Sequence, residues 1–278
     1  MWVLEPRARR RPLLQALTPV LAVIATMIAG GILFAALGKN PVEAIRIIFV
    51  DPFFDGFSRS ELLVKAAPLA LIAVGLSFGF RAGVWNIGAE GQFVVGAIAG
   101  GATALAFWGV EAVWLLPLMT LAGAAGGFAW GMIPAILKVR FGANEILVSL
   151  MLVYVAELLL SALVSGPLRD PDGFNFPESR LFHDSATLPI FLPGTRAHVG
   201  VLVALGVAVA GYVALHRHVF GYHVKLMGAA PRAARFAGVN TGVMTAACLG
   251  LSGALAGVAG TFEAAGPVGQ LVPSLPVG

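Results

Sequence analysis

Asn86, Glu90 and Gln92 stand close together in FRAGVWNIGAEGQFVVGAIAG, residues 80–100, a stretch otherwise apolar and rich in glycine. They supply hydrogen-bonding groups of the kind that can meet a polar solute. Two more acids, Glu157 and Glu263, fall in or beside apolar runs. An ionisable group within a membrane span is a functional hypothesis by default. Glu157 either faces a cavity or reaches outer water, whereas Glu145 opens a span, where an acid is favourable at a helix N-terminus. The five histidines, His183, His198, His216, His218 and His223, lie in connections or near span ends with no H-E-x-x-H spacing. No nucleophile and base pair within a span, so an intramembrane enzyme is excluded. The single cysteine, Cys248, excludes an intrachain disulfide or a cysteine metal site.

The elements that must position these groups are membrane helices. The chain has 58% hydrophobic and 12% charged residues, against roughly 25% charged in a soluble domain, and its mean hydropathy is +0.89. Residues 13–37 and 112–137 carry no charge, and about 20 apolar residues suffice to span. Gly is 35 of 278 residues, and small residues let helices approach closely in lipid. The composition predicts an all-α, polytopic transmembrane helical bundle, a single transmembrane domain over 1–278. About seven spans are placed at roughly 13–37, 62–80, 91–110, 113–137, 144–165, 199–215 and 242–262.

The N-terminal apolar run, about 25 residues, exceeds the 7–15 of a signal core, so it reads as a retained span. Threading from a cytoplasmic N-terminus puts Arg7, Arg9, Arg10, Arg11, Arg81, Lys138, Arg140, Arg217, Lys225, Arg232 and Arg235 inside. Fewer basic residues fall outside, in the direction of the positive-inside rule. The basic residues are topology signals and not a nucleic-acid footprint. The outer connection 38–61 reads either as a short interfacial helix, with Ala44, Ile47 and Ile48 on one face, or as a plain loop. The outer connection 166–198 is rich in Pro, Asp, Ser and Gly and reads as an ordered or semi-ordered loop.

Residues 66–80 give about 22 Å of helix, short of a roughly 30 Å hydrocarbon core. Either the helix starts near Leu62 with Lys65 snorkelling, or the glycines at 83, 88 and 91 dip into the membrane. Broken helices mark transport pathways; the alternative is an ordinary polar loop. GLSGALAGVAGTFEAAGPVGQL, residues 250–271, is similar to GLSFGFRAGVWNIGAEGQF, residues 75–93. With opposite threading, the pair suggests broken helices in inverted repeats.

Between the sixth and seventh spans, PRAARFAG predicts a short helix, with Pro231 at its first position and Gly238 just past its end. Arg232, Arg235 and Phe236 share one face, and Ala233, Ala234 and Ala237 leave the rest slim. Such a helix suits a groove on another protein, or lies at the interface with its arginines on anionic lipid.

Together GLSFGFRAGVWNIGAEGQF, GANEILVSLMLVYVAELLL with GPLRDP, and MGAAPRAARFAGVNTGVMTAACLGLSGALAGVAGTFEAAG resemble the inner-membrane permease subunits of ABC importers. The likeness is to their nucleoside and simple-sugar branch, related to the branched-chain amino acid and ribose permeases. The resemblance implies a pathway built with a second permease subunit, identical or a paralogue. It implies cytoplasmic ATPase subunits that use the ATP, and an external substrate-binding protein. It implies a bacterial-type plasma membrane and no cofactor on this chain, which has no G-x-x-x-x-G-K-[ST] phosphate loop. It places Asn86, Glu90, Gln92 and Glu263 in the pathway. It makes Ala230, Pro231, Arg232, Ala233, Ala234, Arg235, Phe236 and Gly238 the ATPase coupling helix, within a segment over 216–241. Departures are Ser149 and Val153, where the family often has Thr and Asn, and Ala230, where it often has a capping Asn. The family also continues for further spans after a point like LVPSLPVG, so the second half is expected to be incomplete. An ion-coupled secondary transporter is the alternative reading of the same broken helices and membrane acids.

Overall fold

The computed structural model describes residues 12–275; the basic residues Arg7, Arg9, Arg10 and Arg11 lie outside them. The chain divides into two compact units, residues 1–59 and 60–278.

In the first unit, α1 (Pro12–Ala36) is followed by α2 (Pro41–Phe49) and α3 (Asp51–Phe54). Asn40 starts α2 by accepting from the backbone N–H groups of Val42 and Glu43, which satisfies two orphan donors. The connection expected as either helix or loop is therefore largely helical, and α2 packs beside Gly31 of α1 through Ile45 and Pro41.

The second unit holds most of α4 (Gly56–Ala82), then α5 (Ala89–Ala106), α6 (Leu115–Phe141), α7 (Glu145–Ser165), α8 (Gly200–Arg217), α9 (Val219–Ala229), α10 (Pro231–Phe236) and α11 (Thr241–Glu263). A π-helical turn, Ala264–Val268, extends α11. Among the described residues there is no strand, only an isolated bridge between Ile190 and His198. Among the described residues six helices are long and apolar enough to cross a membrane: Leu17–Ala36, Gly56–Ala82, Leu115–Phe141, Glu145–Ser165, Gly200–Arg217 and Thr241–Val268. The span expected at 91–110 is α5, which ends at Ala106 and is not among the six. Glu90 and Gln92 in its first turns dilute its apolar character, and most of its residues are buried in protein.

At the centre α5, α6 and α11 pack backbone to backbone. A methyl group on Gly96 of α5 would run into the backbone of Gly257 of α11, and one on Gly127 of α6 would run into Gly253 and Gly257. Glycine is required here by close approach, as in membrane helix pairs generally. Phe93, Met119, Leu160 and Leu271 close the core toward one end. Phe78, Leu215, Met227 and Leu249 close it toward the other. α7 contributes one buried stripe, Glu145, Ser149, Val153, Ala156, Leu160 and Val164, and leaves its other faces exposed.

Candidate functional site

The chain is non-helical between α4, which is itself long enough to cross a membrane, and α5. α4 ends at Ala82, Gly83 turns left-handed at φ 73°, and the backbone N–H of Val84 closes the end on the carbonyl of Gly79 at 2.9 Å. That closure is a common helix stop, and Gly adopts it without a Cβ penalty. Residues 84–88 are non-helical, with Val84, Asn86 and Gly88 buried and Trp85 and Ile87 exposed. Gly88 lies so close to α7 that an added Cβ would sit 2.6 Å from the Ser149 carbonyl oxygen. Non-helical backbone within a membrane bundle survives when it is enclosed in protein or lines a wet cavity.

Asn86 organises the break. Its carbonyl accepts from the Gly88 backbone N–H at 3.1 Å, and its Nδ2 donates to Gln92 Oε1 at 2.7 Å and to Ser252 Oγ at 2.9 Å. Gln92 Nε2 donates back to Asn86 Oδ1 at 3.3 Å. These three side chains are buried, and among the described residues no buried side-chain polar atom lacks a partner. The network ties the break to α5 and α11. Ser252 was visible in the sequence only as part of the second Gly-Leu-Ser, and it touches Gly75 of the first. The two stretches lie on α4 and α11, which run antiparallel: Lys65 meets Glu263 near one end and Gly75 meets Ser252 further along.

The other two expected pathway residues stand apart from this network. Glu90 is exposed on α5, an otherwise enclosed helix, and Glu157 is exposed on α7. Glu263 is buried at the end of α11 and pairs with Lys65 of α4 at 3.3 Å. A further buried acid, Glu145, starts α7 and is held by Lys138 of α6.

The same end of the bundle that holds the break carries α9 and α10. Gly228 of α9 fits against the Arg81 carbonyl, where any side chain would clash. The eleven residues of α9 were not foreseen as a helix; His218 caps it by accepting from the Phe220 backbone N–H. α10 starts at Pro231, and Gly238, at φ 82°, turns the chain just past its end. Ala230 offers no side-chain cap. Arg232, Arg235 and Phe236 are exposed and line a recess of about 400 Å³. Phe236 is 93% exposed and Ala234 is fully buried. The flank expected to be bare is thus used in part for packing: Ala234 seats α10 on the bundle, and Ala233 and Ala237 stay open.

At the opposite end the connection 166–198 is ordered as a strap over the end of α11. The backbone N–H groups of Ser179, Phe182 and Leu188 donate to the carbonyls of Leu271, Gly269 and Ala265 at 2.9, 2.8 and 2.8 Å. Arg180 lies over the Trp108 ring at 4.4 Å, and Trp108 Nε1 donates to the Leu181 carbonyl. A recess of about 610 Å³ lies at this end beside Glu111, His183 and Asp184, away from Asn86 and Gln92.

The sequence model of a family described as "Branched-chain amino acid transport system / permease component" matches residues 58–277. The glucose ABC transporter permease protein of Haloferax volcanii is 39% identical over 277 residues, 96% of this chain and 72% of the relative. The guanosine ABC transporter permease protein of Bacillus subtilis is 31% identical over 255 residues, 90% of this chain and 72% of the relative. The nucleoside ABC transporter permease protein of Lactococcus lactis is 24% identical over 253 residues, 88% of this chain and 70% of the relative. No solved structure matches the chain.

Proposed function

The chain belongs to the branched-chain amino acid transport system permease family, and from that premise we propose that it carries nucleosides or simple sugars through a pathway shared with a second permease subunit. It is a multi-pass membrane protein and a permease subunit of an ABC importer. The substrate class rests on the names of its relatives, which specify glucose, guanosine and nucleosides. An external binding protein delivers the solute, and cytoplasmic ATPase subunits hydrolyse the ATP. The second permease subunit is another copy or a paralogue.

The observation that carries the energetic coupling is α10. A six-residue helix, anchored through Ala234, projects two arginines and an almost fully exposed phenylalanine. Aromatic and arginine side chains are the usual anchors of a protein interface, and we assign this face to the ATPase. Arg81, Lys138, Arg140, Arg217 and Lys225 fall at the same end of the bundle by element order. By the positive-inside rule these basic residues favour a cytoplasmic side for α10.

In the pathway, Asn86 and Gln92 act as positioning residues: their hydrogen bonds are spent on one another and on Ser252, which fixes the break. Glu90 is the group on the break side that is free to meet solute. Glu90 stands in the first turn of α5 beside the break, and because an ionisable group in a membrane bundle faces water or a partner, we assign its exposed face to the water path that the second subunit closes.

The test is a tagged pull-down from native membranes, beside the double change Arg232→Glu with Arg235→Glu. An ABC-type ATPase should follow the parent and be lost from the double variant. Absence of any ATPase from the parent would sink this reading in favour of an ion-coupled transporter.

A further inference from the structure

The end of α11 opposite the ATPase-docking helix is held by four alternating charges drawn from three segments. Arg196 of the strap grips Glu61 of α4 with two parallel donors, Nε and one terminal nitrogen, the Nε contact at 2.9 Å. One turn later on α4, Lys65 reaches Glu263 at 3.3 Å. The side chains grade from outside to inside: Arg196 is 52% exposed, Lys65 38%, Glu61 21% and Glu263 1%. Glu61 and Lys65 are four residues apart on one helix, a spacing at which side chains meet. Lys65 therefore acts electrostatically on Glu61 as well as on Glu263. It stands between two carboxylates; Arg196 is hydrogen-bonded to Glu61 and acts on Glu263 only through space.

We infer that Lys65 is a positioning residue that switches carboxylates during transport: when the strap lifts and Arg196 leaves Glu61, Lys65 moves to Glu61 and releases Glu263 into the pathway. This rests on the reading of the chain as an ATP-driven permease with α10 as its docking helix. The lever is α11 itself. It runs unbroken from Thr241, just after α10, to Glu263, about 34 Å at 1.5 Å per residue. Its far end has no regular helical continuation: the π-helical turn follows, and strap N–H groups satisfy its carbonyls at Ala265 and Gly269. Lifting the strap removes those bonds and the Arg196 grip together. A two-state element biased from both ends is what coupling between distant sites requires.

A purely structural ion pair and this switch make opposite statements about two variants that break the same contact. In the importer reconstituted with its ATPase, Arg196→Met should favour the released state and raise ATP hydrolysis without binding protein by about fivefold or more. Glu61→Gln leaves Lys65 no alternative to Glu263. It should leave that unstimulated hydrolysis at or below the parent's and reduce stimulation by binding protein by a similar factor. The pair Arg196→Met with Glu61→Gln should follow Glu61→Gln. Co-purification of the ATPase confirms assembly of each variant. Changes of the same sign in the two single variants, a double variant that follows Arg196→Met, or failure of both to assemble would overturn the switch and leave the contact structural. A parent complex that hydrolyses no ATP would overturn the functional reading, and the switch with it.

Discussion

Asn86 and Gln92 face one another through reciprocal amide hydrogen bonds of 2.7 and 3.3 Å across the junction where the broken chain enters α5. Ser252 joins from α11 at 2.9 Å. One asparagine thus serves a turn, a helix and a neighbouring helix at once, and the non-helical backbone stays buried because its organising side chain is fully bonded.

Asn86→Ala should be costly for that reason. It strips partners from Gln92 and Ser252, and each buried group left unsatisfied costs about 1–3 kcal/mol. Gln92→Met should cost less than Asn86→Ala, since Asn86 keeps Ser252 and the Gly88 N–H. The double variant should fall short of the sum by about 0.5–3 kcal/mol, the usual coupling between contacting residues. Thermal unfolding in detergent of the two single variants and the double variant measures this; strict additivity would show that the amides act independently.

Gly257→Ala tests the central packing. The methyl group would meet the backbone of Gly123 and Gly127 on α6, and inserting a methylene into a packed core costs about 1–3 kcal/mol. Gly206 in α8 is the internal control, since nothing lies within 4 Å of its added Cβ. Gly206→Ala should be neutral or stabilising by up to about 1 kcal/mol through helix propensity. The two melting temperatures should therefore move in opposite directions or one not at all.

Local features of this architecture could be read from the sequence because local rules produce them. Long apolar runs gave the spans, Gly83 and Gly88 marked the break, and Pro231 with Gly238 bounded α10. Residues paired across the bundle could not be read in this way. Lys65 and Glu263 are 198 positions apart, and no helical period links them. Asn86 and Glu90 sit four apart in sequence, yet the first turns inward and the second outward, because the chain between them is not helical until Ala89. α9 is harder to read because its apolar stripe, Phe220, Val224 and Met227, covers only two turns, and its seat is made by contacts of Gly221 with α8 and of Gly228 with α4.

Phe236→Ala separates docking from folding. The side chain is 93% exposed, so unfolding of the permease should be unchanged within about 0.5 kcal/mol. If Phe236 anchors the ATPase, truncation should weaken the complex by about 2 kcal/mol, the threshold of an interface hot spot. The ratio of ATPase to permease after purification, with the melting temperature beside it, reads both. A fall in stability with intact docking would make Phe236 a packing residue of the bundle instead.

His198 gives the pH dependence. It is buried where the strap meets α8, its Nδ1 accepting from the Gly200 N–H at 3.2 Å and its ring against Gly266. Burial holds the imidazole below its ordinary value. Below about pH 6.5, the ordinary value, the unfolded chain takes up a proton that the folded chain refuses, and stability must then rise with pH. The contribution is whole above that value and is lost as pH falls through it toward the lower folded value. Arg196, two residues earlier, is raised above its ordinary value by its hydrogen bonds to Glu61 and stays charged throughout, so it adds no titration of its own in that window. Unfolding followed from pH 8 to pH 5 should show the parent losing stability below about pH 6.5. His198→Asn keeps an acceptor for a nearby backbone N–H without a titrating ring, and should flatten that part of the curve; an unchanged slope in the variant would assign the loss to other groups.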